Sequence, residues 1–378
     1  MAVQTLKVTA RQFLTAVRAM QGRGYGLLAA LLVHLPVAAT QRIYRKLAYP
    51  INGRLINRTV NYRRFRAFQG KHADRLDGHF YVIVMPRTLH FLLPCLDLLA
   101  GQVSVLLLGN GARAWEREFL QAKYPDMPFF ELRPLPGSSV AHGDVISLLL
   151  ANNDSNFGIL DHDCYVFDPT VFALLDPGAR ECMLGVFPGF SMKSGIFYPE
   201  TFFLYFHTKF LRELMVRHRV DARAYRRAPA PAAAQLERFG LGARTFLKDY
   251  HNFFDTLHVL LALALAEGLA VRFVGTPAEL SIFHVGGTSI GTTQTKALPD
   301  LYMHLKFLEL TNSAILNARY AHLTFPLRSS TQARSRLPQT PEVMRMLQIS
   351  DELIRRLQEL QTQNPAACPS LRGSDAAM

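Results

Sequence analysis

The chain has 378 residues, of which 49% are apolar, enough for a sizeable core in one large domain or two smaller ones, and this excludes a wholly disordered or fibrous chain. Its four cysteines (Cys95, Cys164, Cys182, Cys368) show no C-x-x-C and no framework spacing, which argues against a disulfide scaffold or structural zinc and for a reducing compartment. The net charge of +13 resides in residues 1–75, where fourteen Lys and Arg face a single acid, Asp74, while the rest of the chain is balanced.

Residues 5–48 read as helical, with Leu6, Phe13, Leu14, Val17 and Met20 on one apolar face among arginines. The stretch Tyr25–Ala39 is almost wholly apolar but only fifteen residues long, short of the roughly 20 that a spanning helix needs. It suits a membrane interface, with Arg and Lys at the headgroups. A cleaved signal ending at Val37-Ala38-Ala39, an organellar transit segment, and a helical arm packed on its own domain remain open.

From Gly78 onward strands and helices alternate. Strands are expected at Phe80–Met85, Val103–Leu108 and Phe129–Leu132, with helices at Leu89–Leu99, Ala112–Tyr124 and Val140–Leu150 between and after them. This order predicts a mainly parallel sheet flanked by helices. The Gly109-Asn110-Gly111 turn offers a weak dinucleotide or methyl-donor loop, since Ala114 stands at the third glycine position and the acid about 20 residues on, Glu131, is not clearly at a strand end.

The next strand, from Phe157, ends in charge: Leu160-Asp161-His162-Asp163. Strand side chains alternate, so Asp161 and Asp163 are expected on one side, where they repel unless a cation or proton lies between them. Hard divalent cations such as Mg2+ or Mn2+ take such oxygen ligands together with substrate phosphates. The bland alternative is a strand end followed by a capped turn.

Beyond Asp168-Pro169 we expect a short helix at Val171–Leu175, a strand at Cys182–Phe187, the polar stretch Lys193-Ser194-Gly195, an aromatic run from Phe197 to Phe206, and a helix at Lys209–Arg217. Lys193 and Ser194 suit polar substrate groups, and Gly195 allows a close backbone approach; a plain polar turn explains them equally well. Residues 219–245 have the composition of a mobile flap. Asp249-Tyr-His251-Asn-Phe-Phe-Asp255 is expected to open a long apolar helix, followed by a strand at Val271–Val274 and then by His284-Val-Gly286-Gly287. Helices are expected at Leu301–Asn317 and Pro341–Gln361, and residues 362–378 are expected to be disordered.

In this order the features resemble nucleotide-sugar-dependent glycosyltransferases of the GT-A fold, over roughly residues 78–290. The resemblance implies a GT-A-like α/β domain at 77–330; charge and periodicity place a basic arm (1–76) before it and an amphipathic helix and tail (331–378) after it. It implies that Asp161 and Asp163 hold Mn2+ or Mg2+ against the donor phosphates, with His284 as a further ligand. Met85, Pro86 and Arg87 would then face the nucleotide base, a UDP-sugar being the first expectation, and Lys193, Ser194 and Gly195 would line the donor site. Asp255 or Asp249, with His251 behind them, would take the acceptor's proton if configuration inverts, whereas a retaining reaction needs no such base.

The expected enzyme is therefore a metal-dependent hexosyltransferase-like protein, peripheral on the cytoplasmic face of an anionic membrane, not binding nucleic acid, with its C-terminal helix available to a second copy. Two rivals are kept. A methyltransferase or dehydrogenase built on Gly109–Gly111 leaves Asp161, Asp163 and His284 unexplained. A non-catalytic membrane- or nucleic-acid-binding protein explains the charge but not the acidic pair.

Overall fold

A computed structural model describes residues 40, 43–44, 47–76, 78–186, 188–191, 195–225, 227–241, 256–288, 298–325, 327–363 and 369–372. The chain divides into two compact units, one formed by Ala48–Pro86 with Leu99–His284, the other taking Arg87–Leu98 and everything from Val285 on, together with the residues up to Leu47.

The first unit is built on a sheet. Its strands in chain order are β1 (Phe80–Val84), β2 (Val105–Asn110), β3 (Phe129–Leu132) and β4 (Phe157–Asp161), followed by the short β5 (Cys164–Val166) and β6 (Glu181–Gly185). Then come β7 (Pro188–Ser191), β8 (Phe197–Pro199), β9 (Phe203–Phe206), β10 (Ala270–Phe273) and β11 (Ile282–His284). Seven of these form one sheet in the order β10-β6-β9-β4-β1-β2-β3. Its pairings are parallel except at β9, which runs antiparallel to both β4 and β6. The mainly parallel, helix-flanked α/β architecture expected from the sequence is the one found. Continuous apolar runs produce it: every residue of β1 and of β2 is buried, as befits strands covered on both faces.

One face of the sheet packs under helices α1 (Tyr62–Lys71), α4 (His142–Asn152), α5 (Thr208–His218) and α7 (His258–Ala266), whose Phe65, Ile146, Leu149, Leu211, Leu260 and Leu263 join Tyr81, Ile83, Leu106 and Ile159 in one core. Here α2 is Leu89–Leu99, α3 is Ala114–Lys123 and α6 is Ala233–Glu237. On the opposite face Phe80 meets Phe172, Phe203 and Tyr205.

Several expectations change. Residues 219–241 are no flap within the described part, because Tyr225, Ala228, Ala232, Leu236 and Leu241 are buried in the core. Among the described residues the helix expected from Asp249 begins at His258, after Leu257 at φ 69°; Asp249, His251 and Asp255 lie outside the described residues. The arm also ends earlier than residue 76. A π-helical stretch, Asn52–Asn61, leads into α1 and is bound to the sheet unit by buried asparagines. Asn52 donates to Ser138 Oγ and Ser139 O and accepts from Leu135 N–H, Asn57 donates to Asp144 O, and Asn61 accepts from Arg133 N–H. These polar anchors hide from any search for apolar periodicity.

Further changes lie in the second unit, which contains α2 with α8 (Leu298–Thr311), α9 (Ala314–Thr324), α10 (Ser330–Arg334) and α11 (Pro341–Gln363). The single helix expected over Leu301–Asn317 is broken by Asn312 at φ 46°, after which the Ser313 side chain caps α9 by accepting from Leu316 N–H. Part of the tail expected to be disordered is docked: Leu371 is buried, and Ser370 N–H donates to Asp97 at 2.8 Å. The apolar face of α11 is occupied inside this unit, where Leu347, Leu353, Ile354 and Leu357 are buried and Ser350 reaches Met303 of α8. No helix among the described residues is long and apolar enough to cross a membrane. Cys95, Cys164 and Cys182 are buried and outside any disulfide.

Candidate active site

The carboxyl ends of β1 and β4 lie side by side, because Ile83 pairs in register with Asp161. Met85 and Pro86 thus leave the sheet at the edge where the acidic pair sits, and Met85 is partly packed on the core. Asp161 is the last residue of β4 and is held by its N–H, which donates to Phe202 O at 2.9 Å. The strand does not continue through Asp163. His162 and Asp163 form the turn into β5, and both are buried, so the simple alternation expected for an extended D-x-D does not apply.

A second ladder completes the group. β11 pairs antiparallel with β5, placing His284 opposite Cys164, one residue from Asp163. The imidazole Nε2 lies 3.5 Å from Asp163 Oδ1 and 3.9 Å from Asp161 Oδ2. The ligand atoms of Asp161, Asp163 and His284 all fall within 4.8 Å of one another. Phe202 stacks on the His284 ring at 4.3 Å between centroids and 19° between planes, which fixes the ring's orientation. Asp163 is closed off at 3% side-chain exposure, while Asp161 and His284 keep 28% and 27%, so the group opens to solvent on one side.

Burial opposes a charge on His284, but the facing carboxylates of Asp163, Asp161 and Glu200 outweigh it and hold the pKa above the ordinary value. Burial raises the Glu200 carboxyl, and His284 partly offsets this. Two carboxylates and an imidazole at this spacing form a donor set that fits a divalent cation, with an open side for water and phosphate oxygens. Neither Glu200 nor Phe202 is a residue that the sequence reading identified. Their only signal was membership of the aromatic run that became β8 and β9, since their relevance depends on strand pairing.

Of the donor-site residues, Gly195 is exposed with φ 76° between β7 and β8, whereas Lys193 and Ser194 lie outside the described residues. Arg87 takes φ 69° in the second unit. The Gly109–Gly111 turn has a packing explanation. A Cβ on Gly109 would meet the Phe129 ring at 2.6 Å, and Gly111, at φ 83°, sits against the Ser138 carbonyl.

Residues 56–211 match the family described as StrH glycosyltransferase N-terminal domain, a span that includes Asp161 and Asp163. No curated protein matches the chain. Among solved structures, a crystal structure of an active-site mutant of LgtC is similar, with 13% identity, coverage of 52% of this chain and 72% of that one, and a TM-score of 0.33.

Proposed function

Taking the chain as a glycosyltransferase with a GT-A-like fold, we propose that it is metal-dependent and moves a sugar from a nucleotide-sugar donor to an acceptor at a membrane surface. The observation that carries this reading is the convergence of Asp161, Asp163 and His284 at the carboxyl edge of the sheet. Ligands of open α/β sheets bind at that edge.

In this reading Asp161, Asp163 and His284 hold Mn2+ or Mg2+. A divalent cation bound there supplies stabilisation for the negative charge that develops on the phosphates as the nucleoside diphosphate departs. The buried Asp163 fixes one side of the ligand set. Phe202 keeps the His284 ring turned toward it, and Asp161 faces the open side. Met85 and Pro86 border the base, and Gly195 leaves room for a close approach of the donor. Asp255 or Asp249 accepts the acceptor's proton if the reaction inverts; UDP is the nucleotide to try first. The basic residues of 1–76 hold the enzyme on an anionic cytoplasmic leaflet, each Lys or Arg near such a surface contributing about 1 kcal/mol.

The test is thermal stabilisation by UDP plus Mn2+, compared with S-adenosylmethionine, NAD and an oligonucleotide, followed by a donor-hydrolysis screen with Mn2+. Stabilisation by UDP only when Mn2+ is present is expected. Stabilisation by S-adenosylmethionine or NAD instead would overturn the reading.

A further inference from the structure

The stretch Asn52–Asn61 is amphipathic in the reverse sense. Its buried side carries Asn52, Gly53, Asn57 and Asn61, while Ile51, just ahead of it, and Leu55 and Val60 are exposed at 43%, 61% and 42%. A helix on a water-facing surface ordinarily turns its apolar stripe inward. Here the inward positions are taken by the asparagine bonds to Leu135, Ser138, Ser139, Asp144 and Arg133, so the apolar side chains face outward.

The winding brings the outward set together. In a helix bonded i→i+5, residues four and five apart lie on one side, and 51, 55 and 60 are spaced in that way, as are the anchors 52, 57 and 61. The stripe is thus continuous and rigidly mounted on the sheet unit. The surrounding charge is of one sign. Between residues 48 and 73 there is no acid, and Arg54, Arg63 and Arg66 are exposed. Other bases of the same segment are engaged in the fold: Arg58 pairs with Asp221 at 3.0 Å, and Arg64 donates to Glu131 O and lies over the Phe130 ring.

We propose that the outward stripe of Ile51, Leu55 and Val60, with Arg54, Arg63 and Arg66 around it, is a lipid-contacting face that seats the sheet unit directly on an anionic bilayer. Apolar side chains inserted at headgroup depth between cationic ones suit an interface that is negative outside and hydrocarbon within. A nucleic acid would satisfy the arginines and leave the three apolar side chains in water. The inference rests on the membrane reading above and deepens it: the contact belongs to the folded enzyme as well as to the preceding segment, so the sheet unit is held against the surface.

The test uses the full chain and vesicles of phosphatidylcholine with or without phosphatidylglycerol, at low and high salt. Three proteins are compared: wild type, Ile51→Ser/Leu55→Ser/Val60→Ser, and Leu27→Ser/Leu28→Ser/Leu31→Ser/Leu32→Ser. The stripe variant should keep the wild-type Tm and bind anionic vesicles at least about tenfold more weakly, the loss persisting at high salt because apolar insertion is not screened. A stripe variant that floats like wild type while the Leu27 variant does not would overturn this inference and leave the membrane reading standing. Failure of the wild type to float would overturn both. A wild-type dimer that the stripe variant converts to monomer would mean that a second copy covers the face, which also overturns it. If the triple variant does not fold, Leu55→Cys carrying an environment-sensitive dye decides: a blue shift on anionic vesicles supports the contact, and an unchanged spectrum refutes it.

Discussion

Asp163 keeps a carboxyl group almost out of water, 3.5 Å from an imidazole whose pKa its charge helps to raise. A His with a raised folded pKa lends stability that is fully present below its ordinary value of 6.5 and is lost as pH rises through the raised value. A cation at the same place needs the neutral ring, so binding releases a proton there. We therefore expect the thermal shift caused by Mn2+ to shrink as pH falls from about 8 to about 6, a range that spans the ordinary His titration. An equal shift across that range would remove His284 from the ligand set. Asp163→Ala should abolish Mn2+-dependent nucleotide binding and turnover while leaving the fold intact, because it removes one of two repelling acids. Retained Mn2+-dependent turnover would exclude Asp163 as a ligand.

The sequence made visible what repeats and concealed what pairs across distance. Apolar runs located β1 to β4 and the helices between them, and the run at Phe157 located the acidic strand end. The antiparallel pairing of β11 with β5, which joins His284 to Asp163, spans over a hundred residues and leaves no local trace. The reversed amphipathicity of 52–61 is concealed in another way, since it depends on asparagine partners at Leu135, Ser138, Ser139, Asp144 and Arg133, all more than seventy residues away. Packing between elements is equally invisible beforehand. The first turn of α4 fits against residues 222–223, where a Cβ on Gly143 would stand 2.5 Å from Ala222 O and from Arg223 Cα. Both atoms are main chain and cannot rotate away, so Gly143→Ala should cost about 1–3 kcal/mol in denaturant unfolding. In the same turn, burial and the nearby Asp221 raise Asp144 to about 6, against the opposing pull of Arg223, Arg58 and Arg54. A carboxyl with a raised folded pKa makes the native state bind the extra proton, so stability falls as pH rises from about 4 to about 6 and stays lowered above that. Asp144→Asn should flatten that slope and raise Tm at neutral pH; an unchanged slope would show that Asp144 is not its source.

At the scale of the whole molecule, the boundary between the basic arm and the sheet unit decides which experiments are meaningful. Composition alone draws it near residue 77, because the excess charge ends there and strand alternation begins. The folded unit instead begins at Ala48. Phe65 of α1 is fully buried against Tyr81 and Phe130, with ring centroids 5.8 and 5.0 Å away. Gln69 donates to Asn153 Oδ1, which also accepts from Tyr81. Removing a buried Phe typically costs about 3–5 kcal/mol, and each buried polar group left without its partner about 1–3 kcal/mol. Loss of Phe65 together with the anchors Asn52, Asn57, Asn61 and Gln69 therefore reaches the roughly 5–15 kcal/mol that holds an ordinary domain folded. A chain beginning at residue 77 should be insoluble or lack a cooperative melting transition. One beginning at residue 40 should melt within a few degrees of the full chain and retain Mn2+-dependent donor hydrolysis. The same difference should appear on a smaller scale in Asn52→Ala, which strips Leu135 N–H of its acceptor and Ser139 O of its donor. A chain from residue 77 that melts cooperatively at the full-length temperature would show that residues 48–76 only decorate the sheet unit.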